Sequence, residues 1–77
     1  MEKEEKLLEA MRDLIWLGGV IATELIQVTE NTSKALRGEI PENCEAQHAK
    51  LREMAIDIVA RNCPEKVKDL REHVLGH

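Results

Sequence analysis

The chain has 77 residues, a formal net charge of −4, two cysteines and one aromatic side chain, Trp16. A chain of this length makes one small domain whose own core gives only marginal stability. Because Lys and Arg are scattered among carboxylates, the composition argues against a nucleic-acid partner. The longest apolar run is too short for a membrane span, and the mixed-charge N-terminus is unlike a signal peptide, so we expect a cytoplasmic protein.

The first predicted element is helix 1, over about residues 4–37, since no proline interrupts this stretch and acidic residues crowd its first turn. Two rows of residues, most of them apolar, repeat every seven positions along it and form one continuous seam. The first row is Leu7, Leu14, Ile21, Val28 and Ala35, and the second is Met11, Gly18, Leu25 and Thr32. We expect this seam to face the core of the chain.

The middle of helix 1, residues 14–22, is apolar on every side, which requires more cover than one short chain supplies. We therefore predict a homo-oligomer, a dimer or a tetramer, with a different protein partner as the alternative. Trp16 and Val20 project away from the seam, so a lone hairpin exposes them, and Trp is a common anchor of interfaces. The predicted interface consists of Trp16, Val20, Ile21, Gly18 and Gly19.

Gly18 and Gly19 each lower the helix propensity in the middle of helix 1. Two interpretations account for them. A neighbouring helix approaches the smooth backbone closely, or the chain breaks here and divides helix 1 into two shorter helices. The sequence alone leaves both open.

The second predicted element is helix 2. Gly38 is placed to end helix 1, and Pro41 to begin helix 2, which we expect over about residues 41–61. Because the connection between the two helices is short, they should form an antiparallel hairpin.

The third predicted element is a short helix 3. Pro64 opens it, we expect it over about residues 65–75, and Gly76 should end it. The predicted fold is therefore all-α, a single domain over residues 1–77. It consists of an antiparallel helical hairpin and a short C-terminal helix, assembled as an oligomeric helical bundle.

The two cysteines are not expected to form a disulfide within the chain. Cys44 and Cys63 are separated by roughly 28 Å along a helix, which is too far for a disulfide within one chain. We expect reduced thiols, with an interchain bridge or a metal role as alternatives.

Helix 2 carries candidate metal ligands. Glu45 and His48 form a Glu-x-x-His pair on one helix, as in di-iron helical bundles, and the hairpin brings Glu30 level with His48. Cys44 and His48, four residues apart, are an alternative pair of zinc ligands. The remaining interpretation of His48 is a partly buried, hydrogen-bonded side chain at the end of the bundle.

Two further segments form a pattern. They are Thr23-Glu24-Leu25-Ile26-Gln27, followed by Glu30 and Leu36-Arg37-Gly38, and the stretch from Leu51 to Arg61. Together they resemble the two metal-binding helices of the MazG-like all-α nucleotide pyrophosphohydrolases. The resemblance implies that Glu24 and Asp57 bind Mg²⁺ ions, which bridge a nucleoside triphosphate and activate water. Gln27 and Met54 stand where that family has further acidic residues.

The preferred functional hypothesis is a small non-enzymatic module for helical oligomerisation or regulation, which needs no cofactor. The alternatives are a MazG-like, Mg²⁺-dependent pyrophosphohydrolase and a metal-binding helical bundle. Release of pyrophosphate in the presence of Mg²⁺ distinguishes the first alternative from the module, and metal in the purified protein distinguishes the second.

Overall fold

The computed structural model describes residues 2–75 and is helical almost throughout. Its elements are α1 (Glu2–Arg37), α2 (Glu42–Asn62), a 3₁₀ turn (Pro64–Lys66) and α3 (Val67–Leu75). The prediction of an all-α fold is therefore confirmed. The observed helix bounds differ from the expected ones by two residues or fewer, and Gly76, expected to end helix 3, lies outside the described residues.

Local backbone chemistry ends and restarts the helices. Gly38 has φ +81°, a conformation that favours glycine, and its N–H donates to the Lys34 carbonyl at 2.8 Å. Pro41 precedes α2, and its carbonyl accepts a hydrogen bond from the Glu45 N–H at 2.9 Å. Cys63 leaves the helical region, with φ −138° and ψ 63°, because it precedes a proline.

The apolar core lies where the three helices meet. Its buried members among the described residues are Ile56, Val59, Cys63 and Leu70, and the side chains packed against them are Ile15, Trp16, Val20, Val67 and Val74. From α1, Gly19 and Thr23 are also buried on this side. The Thr23 hydroxyl donates to the Gly19 carbonyl at 2.9 Å, so it is satisfied without a partner from another helix.

The seam of helix 1 faces away from this core, and the expectation that it faces inward is wrong. Leu7, Leu14, Ile21 and Leu25 are each more than 60% exposed. The reason is that α2 packs on the opposite side of α1, where small side chains allow a close approach. The core of this chain thus uses the less apolar side of its longest helix.

Trp16 and Val20 lie against the intrachain core, so the expectation that they stay outside it is also wrong. A lone hairpin of two helices would leave this side of α1 uncovered. In the structure, α3 covers it, and Leu70 and His73 line a small cleft together with Trp16 and Val20. Lys66 adds a cation–π contact, with its Nζ 5.4 Å from the centre of the Trp16 ring.

The paired glycines of α1 behave differently from each other, and the helix does not break at them. A Cβ placed on Gly19 would lie 2.5 Å from Cγ2 of Val59, so α2 reaches the backbone at this point. A Cβ placed on Gly18 would meet nothing within 4 Å. Close approach of a neighbouring helix therefore explains Gly19, and it leaves Gly18 without a role inside the chain.

Contacts between α1 and α2 follow opposite orders along the two helices. Arg12 donates to the Asn62 carbonyl at 3.0 Å, Gly19 lies beside Val59, and Glu30 accepts a hydrogen bond from Arg52. Since Arg12 is level with the end of α2, α1 extends roughly 15 Å further toward its N-terminus. Across residues 2–75, no helix combines the length and apolar character needed to cross a bilayer.

Candidate functional site

The most prominent surface feature is a set of exposed large apolar side chains, eight on the side of α1 away from the core and three on α2. These side chains, termed the outward face, are Leu7, Met11, Leu14, Leu17, Ile21, Leu25, Val28 and Leu36 of α1, with Leu51, Met54 and Ile58 of α2. Their exposure ranges from 40% to 80%. Soluble monomers rarely expose so many neighbouring apolar groups, and such patches mark interaction sites.

The shape of the chain leads to the same conclusion. Its accessible surface is 5966 Å² for 8.8 kDa, whereas a folded monomer of this mass exposes about 4,800 Å². Its radius of gyration is 14.9 Å, against about 11.5 Å for a compact domain of this length. The excess of roughly 1,200 Å² is larger than the area of about 800 Å² that each partner contributes to a standard protein interface.

A buried charge cluster joins α1 to α2 on the inner side. Glu30 is 7% exposed and accepts a hydrogen bond from Nη2 of Arg52 at 2.6 Å. Nδ1 of His48 lies 3.4 Å from the second Glu30 oxygen and is buried without a hydrogen-bond partner among the described residues. An Arg–carboxylate pair of this kind neutralises the buried charge, which is a structural role.

The predicted approach of Glu30 to His48 is present, whereas Glu45 is exposed. Glu45 lines one side of a shallow cleft that Glu30 and Arg52 also line. Within residues 2–75, no three His, Cys, Asp or Glu side chains stand close enough together to hold a metal ion.

The thiols of Cys44 and Cys63 are free. Cys44 is half-buried and borders a cleft together with His48. Cys63 is buried, and its Sγ contacts the Arg12 carbonyl at 3.3 Å. The buried thiol therefore contributes to packing between α1 and the end of α2.

The two carboxylates that the MazG resemblance singles out each contact a basic side chain. Glu24 pairs with His73 of α3, and Asp57 pairs with Arg61 one turn further along α2, at 3.2 Å. Nearby Glu53 pairs with Arg71 of α3 at 3.6 Å. The Mg²⁺-dependent reaction stays a prediction for Glu24 and Asp57.

An open cleft of about 420 Å³ lies between the last turns of α1 and the start of α2. Its apolar lining comes from Val28, Leu36, Ile40 and Cys44, with Thr32 on the α1 side. Two of these, Val28 and Leu36, belong to the outward face, so the cleft is continuous with it. This cleft was not predicted from the sequence, although the apolar residues on both sides of Gly38 were a signal for it.

Comparison with protein-family models, with curated protein sequences and with solved structures finds no significant match to this chain. Its function is therefore inferred from the geometry of the chain itself.

Proposed function

We propose that this chain is a small, non-enzymatic helical oligomerisation module that works through its outward face. In this proposal α1 and α2 form an antiparallel hairpin that α3 braces from behind, and the outward faces of two or more copies pack together into a helical bundle. The single observation that carries the proposal is the exposure of the seam of α1 along nearly its whole length.

The energetics favour burial of the whole face rather than of one or two side chains. Full burial of a Leu-sized side chain contributes about 1.5 to 3 kcal/mol, and those of the outward face still have about half of that to gain. Association costs about 4 to 15 kcal/mol in lost freedom of motion. A few contacts do not offset this cost, whereas burial of eight α1 side chains on each copy does.

The composition of the outward face fits a contact between proteins. Between Leu14 and Val28, its exposed positions on α1 are apolar and carry no charged side chain. Two charged residues nearby, Asp13 and Glu24, lie along one edge of it. An apolar centre bordered by polar residues is typical of oligomer interfaces.

The test is the oligomeric state of the full chain, measured by sedimentation equilibrium. We expect the wild type to assemble, and Ile21→Glu to weaken the assembly by about a hundredfold or more, because each interface receives a buried charge from both copies. Ile21 is 63% exposed, so the variant should keep the wild-type helicity by circular dichroism.

Lys68→Gln serves as the matched control. It changes the net charge by the same amount as Ile21→Glu, and Lys68 is exposed on α3, away from the outward face. We expect it to assemble like the wild type. A wild type that stays monomeric at high micromolar concentration contradicts the proposal.

A further inference from the structure

On the basis of the proposed self-association, we infer that two copies of this chain pair with their α1 helices antiparallel across a two-fold axis. Glu2 of one copy then lies level with Arg37 of the other. In this register, the numbers of two residues that face each other add up to 39. Because α1 covers Glu2–Arg37, the two helices then overlap over their full length.

The size pattern of the seam supports this register. Antiparallel packing places a residue of the first row against a residue of the second row. The facing pairs are Leu7 with Thr32, Met11 with Val28, Leu14 with Leu25, and Ile21 with Gly18. Each small residue of the second row thereby meets a large residue of the first, which fills the interface evenly.

Parallel packing would lose this complementarity. Each residue would then face its own copy, so Gly18 would lie opposite Gly18 and Thr32 opposite Thr32. A Cβ on Gly18 meets nothing within 4 Å in its own chain, so a parallel pair would leave an empty space at this level. Empty space of this kind destabilises a packed interface. The antiparallel arrangement gives Gly18 the role that the single chain does not.

The charges at the two ends of α1 select the same orientation. Its first turn has an excess of negative charge, with Glu2, Glu4 and Glu5 against Lys3, and its last turn contains Lys34 and Arg37. Antiparallel packing brings the acidic end of one copy level with the basic end of the other and sets the helix dipoles in opposite directions. Exposed charge pairs contribute little affinity. They distinguish this orientation from the parallel one, in which like charges meet.

The cleft at the hairpin end gains an occupant in this arrangement. Val28, Thr32 and Leu36 line it, and the partner's Leu7 and Met11 lie at the same level along the axis. These two residues belong to the part of α1 that extends beyond the end of α2. The extension of one copy therefore covers the cleft of the other, and two-fold symmetry repeats the contact.

Cysteine cross-linking tests the orientation. In a Cys44→Ala background, Leu7→Cys and Thr32→Cys are prepared separately and then mixed, refolded and mildly oxidised. Cys63 is retained because it is 2% exposed. We expect disulfide-linked dimers in the mixture and none from either variant alone, since two copies of residue 7 stand roughly 37 Å apart in this register.

Each other outcome overturns the orientation or the self-association. If Leu7→Cys cross-links with itself, the helices are parallel. If the chain assembles without any cross-link, the register is wrong. In both cases the proposed function is unaffected and only the proposed antiparallel register is rejected. If sedimentation shows no assembly, the proposed function falls with it, and the outward face serves a different partner.

Substitution of Gly18 gives an independent measurement on an otherwise native chain. Gly18→Leu adds a side chain to exposed helix surface, so helicity should stay at or above the wild-type value. In the antiparallel pair it meets Ile21 of the second copy, and we expect the dissociation constant to rise about tenfold or more. A parallel pair would gain packing at this level, so a lower dissociation constant would overturn the inference.

Discussion

The two sides of α1 differ in burial, and the less apolar side is the buried one, contrary to what hydrophobicity predicts. The inner side presents Gly19, Thr23 and Glu30 to the core, and these residues are buried. The outer side presents Leu14 and Ile21, which are 68% and 63% exposed. Small side chains and a paired charge let α2 approach closely, whereas the larger apolar side chains lie on the exposed side. In a short helical chain, the more apolar side of a helix is therefore not always its inner side.

The largest effect on stability is expected when the buried charge cluster of the inner side is broken. Arg52→Met leaves the Glu30 carboxylate buried without its cation, so we expect a loss of about 3 to 5 kcal/mol in unfolding free energy. The double variant Glu30→Met/Arg52→Met should recover most of this loss. Urea denaturation at one fixed protein concentration measures both, and an equal loss in the single and double variants would show that the charge is not buried.

A second pair of variants compares one large side chain from each side of α1. In the Ile21→Glu background, which is expected to weaken the proposed assembly, Trp16→Ala should cost about 3 kcal/mol because Trp16 packs against the core. Leu14→Ala should change the stability of this background little, since Leu14 is exposed. Equal costs in denaturation would contradict the assignment of inner and outer sides.

The adjacent glycines allow the sharpest matched comparison. In the same background, Gly19→Ala forces its Cβ against the stiff, buried Val59, so we expect a loss of about 1 to 2 kcal/mol. Gly18→Ala meets nothing in its own chain and should gain up to about 1 kcal/mol of helix propensity. Thermal and urea unfolding should therefore shift in opposite directions, and a shift in the same direction would place α2 elsewhere.

The smallest expected effect concerns an exposed ion pair. Asp57 and Arg61 form a pair one helical turn apart on α2 and are 68% and 66% exposed in their side chains. Asp57→Asn should lower the unfolding free energy by less than about 0.5 kcal/mol. The contrast with Arg52→Met measures what burial adds to a charge pair. A large loss from Asp57→Asn would indicate a role beyond this surface contact.

Local signals in the sequence predicted the helical elements well. Gly38, Pro41 and Pro64 act on their own backbone, so their positions indicate where helices end and begin whatever surrounds them. The approach of Glu30 to His48 could be predicted because hairpin geometry sets which residues are level. Trp16 was misplaced because its surroundings depend on α3, and no periodicity in α1 shows where α3 lies.

The sequence by itself determined where the helices lie and which residues of α1 share a face. Both follow from backbone propensity and from the fixed angle per residue, which depend only on neighbours in the chain. Only the tertiary structure decided which face turns inward. That choice depends on how closely α2 approaches at Gly19, on the neutralisation of Glu30 by Arg52, and on the cover that α3 provides for Trp16. These three contacts join residues far apart in the chain, and together they leave the most apolar side of α1 exposed.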